Sequence, residues 1–311
     1  MEVILSAVLL LIGLVMLCFG GSWLVSGGVT IAKKFRISNL VIGMTIVAYG
    51  TSTPELAASI AAAGDHSAII LGNVIGSNIA NVGMVIGVAA ILTPLVIQKS
   101  ILRKEIPIML GVSALLVLLS IDGELSQYDG ILLLVGLGIF AVYTFRNALK
   151  QREQSKDDSD SGKNNVYVKS IGYIGIGIIV LYIGAILTVD NAVIIATEFG
   201  LSEKIIGLTV IAVGTSLPEL ITSIIAIRKG HTDIGIGNII GSNIYNILMI
   251  MGVGAALGGV LITADVYVDY AIMIIFSISL LIGLKTRIIK KPMGIILATG
   301  YILYLITTFL K

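Results

Sequence analysis

Cysteine, histidine and charge are all scarce in this chain of 311 residues, and each scarcity closes off some chemistry. The one cysteine, Cys18, lies in an apolar run; it excludes a disulfide framework and a thiolate metal site, and it is expected to serve as a packing residue. Both histidines, His66 and His231, fall in expected connections, so a hydrolase would lack a convincing histidine, thiol or metal-bound nucleophile. Charged residues make up only 12% of the chain and the formal net charge is +2, too small a surplus to hold nucleic acid. Neither a cofactor motif nor an obligatory protein partner is evident.

What the chain has instead is apolar length. Hydrophobic residues supply 57% of it, and the mean hydropathy of +1.05 lies outside the range of soluble domains. This describes a multi-pass protein of the cell membrane. Polar breaks divide the chain into ten candidate spans, each suited to a hydrocarbon core of roughly 30 Å. They run Val3–Ile31, Asn39–Ala63, Ala68–Ile97, Ile106–Ile121, Gly130–Leu149, Val168–Thr197, Lys204–Ile227, Ile234–Thr263, Val266–Leu284 and Met293–Leu310. The first begins "MEV", has no basic leader and outlasts a signal peptide's apolar core of about 7–15 residues, so it reads as a retained span. The connections after the odd-numbered spans, taken with the span ends at Arg146 and Lys169 that border them, hold 18 of the 20 Lys and Arg residues. By the positive-inside rule those connections are cytoplasmic and both termini face outward.

The chain also repeats itself. "ISNLVIGMTIVAYGTSTPELAASI", from Ile37, matches "LSEKIIGLTVIAVGTSLPELITSI", from Leu201, at a constant offset of 164; "GNVIGSNIANVG", from Gly72, matches "GNIIGSNIYNIL", from Gly237, at 165. The expected fold is therefore an all-α membrane protein of ten transmembrane helices in two repeats of five. The first repeat is 1–149 with motif helices 39–63 and 68–97, the second 167–311 with motif helices 204–227 and 234–263, and a short cytoplasmic linker, 150–166, joins them. Five is odd, so the second copy enters the membrane from the opposite side, and a pseudo-two-fold axis in the membrane plane relates the two. Such a duplication offers one conformation open to each side.

Each copy carries an acid where an acid is expensive. Glu55 and Glu219 fall within apolar spans, and the four motif helices hold no Lys or Arg deep in the membrane to balance them. A lone buried glutamate could be a protonated structural pin; two in matched inverted motifs point to a cation site. Thr51 and Thr215 lie one turn before the acids. Pro54 and Pro218 lack the N–H that a helix needs there, so each span should kink and free backbone oxygens around Ala48 to Thr51 and Ala212 to Thr215. Ser77 and Asn81 share one helical face, as do Ser242 and Asn246, while Gly72, Gly76, Gly237 and Gly241 permit close helix approach. The result is an all-oxygen cage, suited to Ca²⁺ or Na⁺ rather than to zinc, copper or iron, with two carboxylates to match one Ca²⁺.

With "GTSTPEL" and "GTSLPEL" paired with "GNVIGSN" and "GNIIGSN", the chain resembles the sodium/calcium exchangers of the cation/calcium antiporter superfamily, over both repeats and nearly its whole length. The resemblance implies that Glu55 and Glu219 are central Ca²⁺ ligands, aided by Thr51 and Thr215. It implies that Na⁺ uses these together with Ala48, Ser52, Ser77, Ala212, Ser216 and Ser242, and that Asn81 and Asn246 line the middle of the site. Some prokaryotic relatives carry Asp at the place of Asn246. The implied activity is electrogenic exchange of about three Na⁺ per Ca²⁺, with a proton-coupled or K⁺-dependent exchanger on the same site as the alternative. Asp190 is expected near the outer interface, outside the cage.

Overall fold

The computed structural model describes residues 2–61, 63–64, 67–154, 164–200, 212–282 and 286–309. Its elements are almost all helical. They are α1 (Glu2–Phe35), α2 (Asn39–Thr51), α3 (Thr53–Ala61), α4 (Ser67–Leu92), α5 (Ile106–Leu119), α6 (Gln127–Gln154), α7 (Asn164–Glu198), α8 (Ala212–Thr215), α9 (Leu217–Arg228), α10 (Thr232–Gly258), α11 (Val266–Ser279) and α12 (Lys291–Phe309). Six helices among the described residues are long and apolar enough to cross a membrane. Helix α7 and the end of α6 extend into the expected linker at 150–166, whose residues 155–163 lie outside the described residues, as do 204–211 of the expected seventh span.

Two expectations need correction. The span at 39–63 is not one kinked helix but two: α2 stops at Thr51, Ser52 forms a turn at φ −83° and ψ 8°, and α3 restarts with Pro54 in its first turn. The second copy repeats the break, with Ser216 at φ −85° and ψ 0° and Pro218 opening α9. Proline is tolerated there because first-turn N–H groups have no intrahelical partner. The third and eighth spans also end early. Helix α4 stops at Leu92, and Leu95–Val96 (β1) pairs antiparallel with a strand at Ile288–Ile289; α10 stops at Gly258, and Val260–Leu261 pairs antiparallel with Glu124–Leu125. In chain order these further strands are β2 (Glu124–Leu125), β3 (Val260–Leu261) and β4 (Ile288–Ile289). A pure all-α reading thus misses two ladders of two residues per strand, which satisfy backbone groups at helix ends.

Burial sorts the helices. In their most apolar stretches α4 is 78% and α10 89% buried, whereas α1 is only 22% buried. Ile4, Leu5, Leu11, Val15 and Phe19 of α1 are exposed, an apolar outer surface of the kind membrane-spanning helices carry. Cys18 is exposed among them, which corrects its expected packing role. The inner face of α1 is a glycine seam against α7. A Cβ on Gly13 would meet Thr188 Oγ1, one on Gly20 would lie 2.9 Å from Gly177 O and Leu181 N, and one on Gly27 would lie 2.8 Å from Ser170 O. As residue numbers rise on α1 they fall on α7, so the two helices run antiparallel in backbone contact.

Candidate cation site

The two breaks deliver the acids to one place. Glu55 sits one residue into α3 beyond Pro54, Glu219 does the same in α9, and both are 1% exposed. Their carboxyl groups lie close enough to interact. Ser52 Oγ donates to Glu219 Oε1 at 3.1 Å and lies 3.1 Å from Ser242 Oγ, which itself donates to the same carboxylate oxygen at 3.4 Å. Residues from three helices and the turn at Ser52 therefore meet around Glu219, with Ser52 and Glu55 coming from the opposite copy of the motif.

The remaining expected residues divide by what their polar atoms find. Glu55 Oε2, Glu219 Oε2, Ser77 Oγ, Ser216 Oγ, Asn81 Oδ1 and Asn246 Oδ1 are buried and have no hydrogen-bond partner. Thr51 Oγ1 donates to Asn238 Oδ1 at 3.1 Å and to Ala48 O at 3.3 Å. Ala48 O also accepts the Ser52 N–H at 3.0 Å. That corrects the expectation of a freed Ala48 carbonyl, since the Ser52 N–H already occupies it. Thr215 is buried at 8% exposure. Ala212 opens the mirrored helix α8 at the edge of the described residues. Gly237 and Gly241 do allow close approach, to Leu40, Met44 and Ala48, whereas added Cβ atoms at Gly72 and Gly76 would meet nothing within 4 Å.

A cavity of about 630 Å³ reaches Thr215 from the side. It lies between α3 and α7 and is lined by Pro54, Ala58, Tyr182, Ala185, Asp190 and Thr215. Asp190 lines the same space as Thr215.

The model of the family described as "Sodium/calcium exchanger protein" matches this chain twice, over residues 5–146 and 169–310. The chain belongs to the sodium/calcium exchanger family. Among curated relatives, the inner membrane protein YrbG of Escherichia coli is 36% identical, with 97% of this chain and 96% of that protein aligned. The sodium/calcium exchanger MaX1 of Methanosarcina acetivorans is 35% identical over 97% of each chain. Among solved structures, the sodium-calcium exchanger NCX_Mj superposes with a TM-score of 0.87 at 35% identity, covering 98% of this chain and 99% of its own. The family is one of secondary transporters and not of enzymes, and it needs no cofactor to move Na⁺ and Ca²⁺.

Within this family member, four asparagines escaped the reading of the sequence. Asn73 Nδ2 donates to Glu55 O and to Ser59 Oγ, both at 2.9 Å, and its counterpart Asn238 donates to Ser223 Oγ at 2.9 Å. Asn78 and Asn243 bridge α4 and α10. All four stand inside the quoted G-N-x-x-G-S-N motifs, so the signal was present as letters. Their partners sit on neighbouring helices, from 14 to 195 residues away in the chain, which helix-face spacing does not show.

Proposed function

We propose that the chain is a secondary antiporter that exchanges Na⁺ for Ca²⁺ across the membrane by alternating access, at a midplane site built on Glu55 and Glu219. One observation carries this reading. Of the eight buried side-chain atoms that lack a hydrogen-bond partner among the described residues, six are the oxygens of Glu55, Ser77, Asn81, Ser216, Glu219 and Asn246. Nature leaves few buried polar groups unpaired, because each costs about 1–3 kcal/mol. Six such oxygens on the motif helices, with hydroxyls of Ser52 and Ser242 beside them, suit hard cations. No cluster of three or more His, Cys, Asp or Glu side chains occurs among the described residues, so the remaining ligands are neutral. Two carboxylates then balance one Ca²⁺ or an equivalent set of Na⁺ ions. Competition for that pair couples the fluxes: a filled site crosses with its charge compensated, while an empty doubly negative site resists crossing.

The architecture behind this proposal is ten transmembrane helices in two inverted repeats, 1–149 and 167–311, joined by a cytoplasmic linker at 150–166, with both termini outside. Several features support it. Helices α1 and α7, equivalent under the offset of 164, pack antiparallel through glycines at both partners. The β1·β4 and β2·β3 ladders exchange with each other under the offsets that relate the two motifs. The alternation of Lys and Arg supports the orientation.

Full-length protein reconstituted into Na⁺-loaded vesicles tests the reading. Ca²⁺ uptake is expected with an outward Na⁺ gradient and should vanish when a Na⁺ ionophore collapses it. Uptake that survives this collapse and follows a pH gradient would sink Na⁺ coupling in favour of H⁺. Glu55→Gln and Glu219→Gln should each reduce exchange by about a hundredfold or more, the scale of losing one charged ligand in a buried site. Unaltered Ca²⁺ binding by the double variant would remove these carboxylates from the site.

A further inference from the structure

Where α4 crosses α10, four amides form a symmetric chain of hydrogen bonds. Asn78 Nδ2 donates to Asn243 O at 3.3 Å, and Asn243 Nδ2 donates to Asn78 O at 3.4 Å. Each of these amides also rests its N–H on a methionine sulfur, Met273 for Asn78 at 3.7 Å and Met109 for Asn243 at 3.6 Å. Their side-chain oxygens are then free to accept from the opposite helix. Asn246 Nδ2 donates to Asn78 Oδ1 at 3.0 Å, and Asn81 Nδ2 donates to Asn243 Oδ1 at 2.9 Å. All four asparagines are 1% exposed.

A side-chain amide has two ends of opposite polarity, and rotation by a half-turn swaps them at almost no steric cost. In Asn81 and Asn246 the NH₂ end is engaged, and the oxygen end has no partner. Asn81 and Asn246 each open a π-helical turn, Asn81–Ile86 and Asn246–Met251, which widens the helix at the point of crossing. The cross-helix bonds decide which way these amides face.

We propose that Asn78 and Asn243 are positioning residues that fix amide polarity in the cation site: Asn78 holds Asn246, and Asn243 holds Asn81, so that both carbonyl oxygens face the transported ions. The bonds cross between repeats, so each half of the chain orients a ligand that the other half supplies. This inference rests on the oxygen cage proposed above.

Apparent Na⁺ and Ca²⁺ affinities of the full-length reconstituted protein test it through mutant cycles. Asn246→Ala and Asn78→Ala should each weaken apparent Na⁺ affinity by about tenfold, the size of one hydrogen bond or contact to a charged group. Their double variant should be no weaker than either single one to within about twofold, because both remove the same correctly oriented oxygen. Asn78→Ala combined with Asn81→Ala should instead multiply the two losses, although Asn81 is the nearer neighbour in sequence. Full additivity of Asn78→Ala with Asn246→Ala would overturn the inference, since a merely structural role predicts no such selectivity. Should Asn78→Ala fail to fold, Asn78→Asp keeps the oxygen that Asn246 needs and should hold Na⁺ affinity at or above the parent's; a tenfold loss there would also overturn it. If Asn81→Ala and Asn246→Ala both leave affinity unchanged, this inference and the amide part of the cage fall together. The Glu55→Gln and Glu219→Gln results still report on the carboxylates separately.

Discussion

The cavity beside Thr215 and the equivalent place beside Thr51 are built from matched positions and end differently. On the first side Ala58 of α3 and Ala185 of α7 line about 630 Å³ of space. On the second, 164 positions away in each case, Thr222 of α9 is seated on Gly21 of α1, where an added Cβ would lie 2.9 Å from Thr222 Oγ1. Thr51 is fully buried while Thr215 keeps 8% exposure. A fastening exists on the closed side. Lys229 Nζ donates to Ser22 Oγ at 2.8 Å, Ser26 Oγ at 2.9 Å and Ser22 O at 3.3 Å, tying the end of α9 to α1. Near-identical motifs can therefore sit in unequal surroundings, and the inequality predicts that the proposed cage is approached from the Thr215 side.

Chemical labelling puts this inequality to its most severe test. In a Cys18→Ser background, Ala58→Cys should react with a small charged thiol reagent about a hundredfold faster than Thr222→Cys, since the buried site needs a local opening of about 3 kcal/mol. Equal rates would mean that the two faces are equally open. Filling the cavity comes next in size. Ala58→Trp should lower exchange by about tenfold or more while changing stability by less than about 1 kcal/mol, because a side chain placed in existing space is not overpacked. A thermal unfolding shift without loss of transport would show that the space is not on the ion path.

The two faces also show what a sequence conceals. The buried acids, hydroxyls and the asparagines at 81 and 246 were legible as a repeated set because their types recur at a fixed offset, and an unbalanced glutamate in an apolar span is conspicuous. The break at Ser52 was not, because a proline two residues later reads equally as a kink or as the first turn of a new helix. The π-turns at Asn81 and Asn246 leave the 3.6-residue pattern almost intact, and strands of two residues are too short to carry a period. The fastening by Lys229 was hidden for another reason: it joins residues more than 200 positions apart. Serines at 22 and 26 in an apolar helix carry no mark that a lysine needs them.

Loosening that fastening should shift the balance of the faces. Lys229→Ala removes three hydrogen bonds made by a largely solvent-exposed ammonium, worth together about 1 kcal/mol after solvent screening. The population with the Thr222 face open should rise by about fivefold. The readout is the pair of thiol rates: Thr222→Cys should gain about fivefold in reactivity while Ala58→Cys stays within about 10%, because its open population starts near its maximum. A change in neither rate would leave Lys229 as a passive anchor.

The smallest effect comes from making the closed side resemble the open one. Asp190 on the cavity wall corresponds to Ser26 at the fastening, under the offset of 164. Ser26→Asp would therefore copy the acid of the second repeat into the first and set it beside Lys229. An ion pair at this partly exposed position adds about 0.5 kcal/mol over the hydroxyl contact. The closed face should be favoured by roughly twofold, and turnover should fall by a similar factor if opening of that face limits the cycle. Ca²⁺ affinity measured from the cavity side should stay within about twofold, because position 26 lies outside the cage and acts only through the population of open states. Raised ionic strength should erase the difference from the parent, as it would for any exposed pair. A turnover change that persists in high salt would show that the Ser26→Asp substitution disturbs packing on α1 and leaves the fastening untouched.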